Sequence, residues 1–229
     1  MKHIGSILGV AGLLVVMSAS RPAKAQGNNE LIDAIAGEIN RVRARPDKVA
    51  SELKGQKEAL IAARVKVGDS KEDATKAIES CILDLENIPT KYDRLEKIYL
   101  DGTLTSTAQF FADSREPSKP ASSRQIYAKM LKGGYRPPLP LPISKDSFEE
   151  ILLTLPSKGT NSEKAKEIIQ DLLIDGGASN ISSGYLRRCF ILDYRLVSIP
   201  PKQAAYRVVF AGIGVKGESL RIQYLVRPR

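Results

Sequence analysis

The stretch LLIDGGASNISSGYLRRCFILDYRLVS, residues 172–198, sets the reading of the whole chain. Just before and within it, Ile168, Ile169, Leu172 and Leu173 recur at i, i+1, i+4 and i+5, which gives a helix one apolar face. The pair Gly176-Gly177 stops that helix, because a residue without a Cβ enters a left-handed cap at no steric cost. A polar turn follows through Ser179, Asn180, Ser182, Ser183 and Gly184. The β-branched and aromatic run from Cys189 to Ile199 then predicts a strand.

Upstream, Asn29 is placed to cap a helix in which Leu31, Ile32, Ile35, Ile39 and Val42 repeat at helical spacing until Arg45-Pro46. A further helical stretch spans 56–67 and ends at Gly68. Asp69 or Ser70 caps a third helix that turns Ala74, Ala77, Ile78, Cys81, Ile82 and Leu85 inward, with Pro89 closing it. Leu104, Ala108 and Phe111 read as core positions. Ser122 opens a short helix that Gly133-Gly134 ends, and the prolines at 137–142 make a stiff extended connection. Phe148-Glu149-Glu150 leads into an apolar strand, and Asn161 or Ser162 caps the helix running to Ile174. Two closing strands, 206–215 and 220–226, meet at a turn on Lys216-Gly217. Strands with helices before and between them argue a mixed sandwich of helices and sheet.

The first residues read as a secretory signal: Lys2, an apolar core from Ile7 to Met17, and Ala23-Lys24-Ala25 as an A-x-A cleavage site. The expected organisation is a signal peptide at 1–25 and a single domain at 26–229, exported to the periplasm or the medium. The apolar core is too short to span a bilayer, and no later stretch approaches spanning length. The formal net charge is +9, and losing Lys2, Arg21 and Lys24 leaves the remainder basic. A basic surface suits anionic lipid or an anionic envelope polymer. No helix-turn-helix, finger or RNA-binding pattern is present, and export argues against nucleic acid.

The chain has one histidine, His3, within the signal. Residues 26–229 therefore have no imidazole for a Ser-His-Asp or Cys-His nucleophile, nor for a histidine zinc site. Two readings stand for Cys81 and Cys189. In an oxidising compartment they form a disulfide, worth roughly 4–5 kcal/mol through restraint of the unfolded chain. Otherwise they are buried thiols packed as small apolar side chains.

The opening stretch resembles a segment of the CAP superfamily, in its bacterial branch of SCP-like extracellular domains. Leu172, Leu173, Ile174, Asp175 and Gly177 match the first half of that pattern; Gly184, Phe190, Asp193, Tyr194 and Val197 keep the spacing of the second. Asn40, Arg43 and Pro46 fit the N-x-x-R-x-x-P form of the family's first helix, and Phe210-Ala211-Gly212 resembles its late strand. The resemblance implies an α+β fold: a three-layer α-β-α sandwich with a small mixed or antiparallel central sheet. Glu149 takes the place of a glutamate that points into the family's cleft. The family's Gly-His-Arg reads Gly184-Tyr185-Leu186, so one cleft histidine has become Tyr185, and the other has no counterpart. A phenol with a pKa near ~10 is a poor substitute for imidazole as a cation ligand. The expectation is therefore no metal and no cofactor.

The leading functional expectation is a non-catalytic exported domain that binds lipid, an anionic envelope polymer or a protein. Glu149, Tyr185, Arg187 and Arg188 are its candidate ligand-binding residues, the arginines being suited to anionic groups. The alternative is a hydrolase with Glu149 as general base and Tyr185 as acid or oxyanion donor. Against each role stands a plainer one, that of a solvated charge at a strand or turn.

Overall fold

A computed structural model of the chain describes residues 23–91, 95–114, 119–134, 148–174, 191–192 and 206–228. The residues before 23, the proline run at 137–142 and residues 175–190, with the polar turn expected at 179–184, lie outside these. Among the described residues the fold is mixed α+β, with six helices and a small four-stranded mixed sheet. No helix among them is long and apolar enough to cross a membrane.

Helix α1 (Ala23–Ala44) is followed directly by α2 (Pro46–Lys66). Pro46 is the first helical residue of α2, where a missing N–H costs nothing and the fixed φ favours the turn. Helix α3 (Lys71–Lys91) returns along α2 and is capped by Ser70, whose Oγ accepts from Asp73 N at 3.0 Å. All six positions expected to face inward on α3, from Ala74 to Leu85, are buried. The short strand β1 (Tyr99–Leu100) leads into α4 (Gly102–Ala112), whose cap Asp101 accepts from Leu104 N at 2.7 Å. Helix α5 (Ser123–Lys132) begins with a reciprocal capping box between Ser122 and Gln125. Strand β2 (Phe148–Thr154), α6 (Asn161–Ile174), β3 (Tyr206–Lys216) and β4 (Ser219–Pro228) complete the described elements.

The strand order is β1-β3-β4-β2, with β1 parallel to β3 and the other pairs antiparallel. Gly217, at φ +59°, turns β3 into β4 in a position that a Cβ would strain. Side chains alternate along these strands. Ala211, Ile213, Val215, Leu220, Ile222, Tyr224 and Ile151 join a large buried core with α1, α2, α3 and α6. Phe148 and Leu225 instead pack with Leu104, Ile126 and Met130 of α4 and α5.

Gly212 and Gly214 explain how α4 sits on its side of the sheet. A Cβ on Gly212 would lie 2.2 Å from the Leu104 carbonyl carbon, and one on Gly214 2.4 Å from that of Ala108. The helix backbone therefore rests on the strand backbone. This close approach is available only where alternate strand residues carry no side chain.

Several boundaries differ from the sequence reading. Helix α1 starts at Ala23 rather than after a cap at Asn29, and α2 starts at Pro46, well before Gln56. Helix α3 runs past Pro89 to Lys91, although a proline there has no N–H to donate to the carbonyl four residues back. The cap of α6 is Thr160, not Asn161 or Ser162: Glu163 N donates to Thr160 Oγ1 at 3.3 Å, and Thr160 N donates to Glu163 Oε2 at 2.7 Å. Within the strand expected over 189–199, the two described residues, Ile191 and Leu192, are helical and fully buried. A short apolar run has the same composition whether it forms a buried strand or a buried helical turn.

Candidate functional site

Asn40 and Arg43 form a structural clamp towards the end of α1, while Pro46 opens α2. Asn40 donates from Nδ2 to Ile98 O at 3.0 Å and accepts from Ile98 N at 2.8 Å, replacing a neighbouring strand for that residue. Arg43 is 1 % exposed and donates to Glu96 O at 2.5 Å and Ile191 O at 2.7 Å. One helix face thus fixes two segments far apart in sequence. This geometry holds the fold.

On the α4 side of the sheet the alternation brings polar residues together. Glu150 lies opposite Gln223 in the β2–β4 ladder, with Arg221 diagonal to it on the same face. Arg221 Nη1 donates to Glu150 Oε2 at 2.8 Å, and the two side chains are 1 % and 0 % exposed. Gln223 Nε2 donates to Glu150 Oε1 at 2.7 Å, and Ala121 N to Oε2 at 2.5 Å. Arg221 Nη2 in turn donates to Lys119 O at 3.1 Å. Removing two such charges from water costs several kcal/mol per ion, and this set of hydrogen bonds offsets it. Both carboxylate oxygens are engaged by donors. The cluster also ties residues 119–121, the approach to α5, onto the sheet.

Beside the cluster, between the end of α4 and the start of α5, is a cleft of about 240 Å³. It is lined by Phe111, Ser114, Lys119, Pro120, Ala121, Gln125 and Arg221. Glu150 lies behind Arg221 and is not part of the lining. Phe111 meets Phe110 edge-on, with ring centroids 5.3 Å apart, and Lys129 Nζ stands 3.5 Å from the centroid of half-exposed Phe110.

A second charged cluster joins α1, α2 and α6. Arg41 donates to Glu38 at 2.8 Å and to Glu52 at 2.9 Å, and Lys166 Nζ lies 3.6 Å from Glu52. The hydrogen bond from Arg41 holds the Glu52 carboxyl below the usual carboxylate range. The pocket under this cluster, about 10 Å³, has room for roughly one water and no ligand.

The structure places Glu149 in β2, paired with Tyr224 in the ladder. Tyr185, Arg187, Arg188 and Cys189 lie outside the described residues, while Cys81 is fully buried in α3. Among the described residues no group of three or more His, Cys, Asp or Glu side chains could hold a metal ion. Lys119 and Arg221 of the cleft lining, and Glu150 and Gln223 of the buried cluster beside it, escaped the sequence reading. Their signal was the alternation Arg221-x-Gln223-x-Leu225 within an apolar strand, which puts two polar residues on one buried face. No family model, no curated protein and no solved structure matches this chain.

Proposed function

We propose that the chain is an exported, non-catalytic CAP-like domain, residues 26–229 after a signal at 1–25. It binds a ligand of the envelope or the medium: lipid, an anionic polymer or a protein. The three-layer α-β-α part of this reading is supported by the alternation on β3 and β4. There Ile213 and Ile222 join the core of α1, α3 and α6, while Gly212 and Gly214 lie under α4. The clamp made by Asn40 and Arg43 supports the resemblance in the first helix.

One observation carries binding over catalysis. The buried acid beside the cleft, Glu150, is engaged at both oxygens by Arg221, Gln223 and Ala121, and the described residues that line the cleft include no carboxylate, thiol or imidazole. A pocket with an aromatic wall, cationic groups and no such proton-transfer group holds ligands better than it cleaves them.

Two measurements test this. Residues 1–25 fused to a reporter should direct it out of the cytoplasm; retention inside would remove the exported part. The purified protein should bind phosphatidylglycerol vesicles or an anionic wall polymer in preference to phosphatidylcholine vesicles, and should show only background turnover of chromogenic esters and glycosides. Turnover that disappears in Glu149→Ala would overturn the non-catalytic reading.

A further inference from the structure

Basic residues on the two sides of the sheet differ in their partners. On the side of α2 and α3, surface lysines meet acids: Lys54 with Glu86 at 2.5 Å, Lys57 with Glu79 at 2.6 Å and Lys76 with Glu72 at 2.5 Å. On the other side, α5 carries Arg124, Lys129 and Lys132 and no acid, and none of the three forms an ion pair among the described residues. Its neighbour α4 has no charged residue. Asp113 is the single acid among the described residues of 102–134, and Lys216 Nζ is bonded to its carbonyl at 3.0 Å. By sequence, no internal segment outside the described residues is net acidic. Segments 92–94 and 115–118 each hold one basic and one acidic residue, and 135–147, 175–190 and 193–205 each hold two basic and one acidic.

The same face exposes apolar side chains between the cations. Arg124, Ala128 and Leu131 lie at i, i+4 and i+7 on the outward side of α5, away from buried Ile126 and Met130, and Leu131 is 46 % exposed. Phe110 of α4, 50 % exposed, stands beside α5 with Lys129 Nζ 3.5 Å from its ring centroid. An exposed ring and leucine flanked by basic groups on apolar stems suit the boundary between lipid headgroups and acyl chains. There the apolar parts leave water while the charges stay among phosphates. A soluble polyanion would engage the cations and gain nothing from Phe110 or Leu131. A second copy of the chain, docked through the same face, would set like charges against each other.

We infer that the outward face of α4 and α5 docks on an anionic lipid bilayer, with Phe110 and Leu131 in the interface and Arg124, Lys129 and Lys132 on lipid phosphates. The inference rests on the binding reading above and fixes its partner and its surface. Each basic residue held near an anionic leaflet strengthens partitioning about fivefold.

The test is co-sedimentation of the purified protein with vesicles of phosphatidylcholine, alone or mixed equally with phosphatidylglycerol, and calorimetric titration with soluble polyphosphate. The mixed vesicles should bind at least about tenfold more strongly than phosphatidylcholine. Arg124→Glu/Lys132→Glu should weaken that binding by at least about tenfold, and Phe110→Ser/Leu131→Ser by about fivefold or more. Lys48→Glu/Lys66→Glu on α2 changes the net charge equally on the other layer and should cost no more than about twofold. All six side chains are exposed, so the three variants should melt where the parent does. Equal losses from the α5 and α2 reversals would show binding by net charge and overturn the face. Unchanged vesicle binding in either variant of the α4–α5 face overturns it as well. A parent that binds polyphosphate and no vesicles has a polyanion as its partner, which overturns the bilayer and leaves the binding reading standing. A parent that binds neither overturns the inference and removes lipid and anionic polymer from that reading together.

Discussion

Glu150 of β2 and Arg221 of β4 form an ion pair at 2.8 Å with both side chains sealed from solvent. Removing one partner strands the other charge in the core. Glu150→Leu and Arg221→Met, each alone, should therefore destabilise by roughly 3–5 kcal/mol. The double variant Glu150→Leu/Arg221→Met removes both charges and should recover part of that loss. The remainder reflects Gln223 Nε2, Ala121 N and Lys119 O, which lose these bonds, at about 1–3 kcal/mol for each group left buried without another. Urea denaturation of the four proteins gives the cycle, and additive losses would show that the pair does not act as a unit. Faster hydrogen exchange at Ala121 in the double variant would report the freed approach to α5.

Gly214, like Gly212, is a position where the closeness of α4 and β3 opposes any substitution by backbone contact alone. Gly214→Ala would place a methyl 2.4–2.5 Å from the Ala108 and Gln109 backbone, which no side-chain rotation relieves. The helix must lift off the strand. The expected cost is at or above the upper part of the ~1–3 kcal/mol range for overpacking. Gly68, with nothing within 4 Å of its Cβ direction, has a φ of +114°, so Gly68→Ala meets only backbone strain. Thermal melts should rank Gly214→Ala as the more damaging of the two.

Asn40 gives a sharper test of the clamp on α1. Asn40→Ala leaves both the N–H and the C=O of Ile98 without their present partner, at about 1–3 kcal/mol for each buried group. Asn40→Asp keeps an acceptor for Ile98 N but turns a second oxygen on Ile98 O. It should be destabilising at neutral pH and less so once that carboxyl is protonated, because a protonated acid can again donate. Denaturant melts at pH 7 and pH 4, each compared with the parent protein, give the sign directly. A difference independent of pH would place Ile98 away from the Asn40 side chain in solution.

Much of the framework was legible because local rules and the fold agreed. The α3 face from Ala74 to Leu85, the cap at Ser70, the short helix after Ser122 and the closing hairpin all rest on period, cap chemistry or a glycine turn. The α6 cap was written in the sequence too, as Thr160-Asn161-Ser162-Glu163, a reciprocal box whose first member is the threonine. The cleft was not legible. Its charge pattern depends on register, which places Glu150 beside Gln223 and diagonal to Arg221 across 71 residues of separation. In Phe148-Glu149-Glu150 a shift of one residue exchanges the two faces, and composition does not say which glutamate turns toward α5. The helical turn at Ile191-Leu192 was hidden for a related reason: tertiary burial, not periodicity, chose its backbone.

Acid should weaken the junction of α1, α2 and α6 through Glu52. The hydrogen bond from Arg41 is the largest cause of its lowered pKa, burial opposes the shift, and Lys166 adds a smaller lowering. A carboxyl whose folded-state pKa lies below its unfolded one adds stability that is fully present above the unfolded value. That stability is lost as pH falls through the folded value, where both states become protonated. The Glu52 side chain is 39 % exposed, so solvent and salt screen the pair, and its contribution is at most about 1 kcal/mol. Glu52→Gln should therefore lower neutral-pH stability by no more than this, with the gap to the parent closing below the ordinary carboxylate range and shrinking in added salt. Urea midpoints across pH 2–7 at two salt concentrations measure it. A gap that persists at the acid end would assign the effect of Glu52→Gln to packing against α6 instead of to charge.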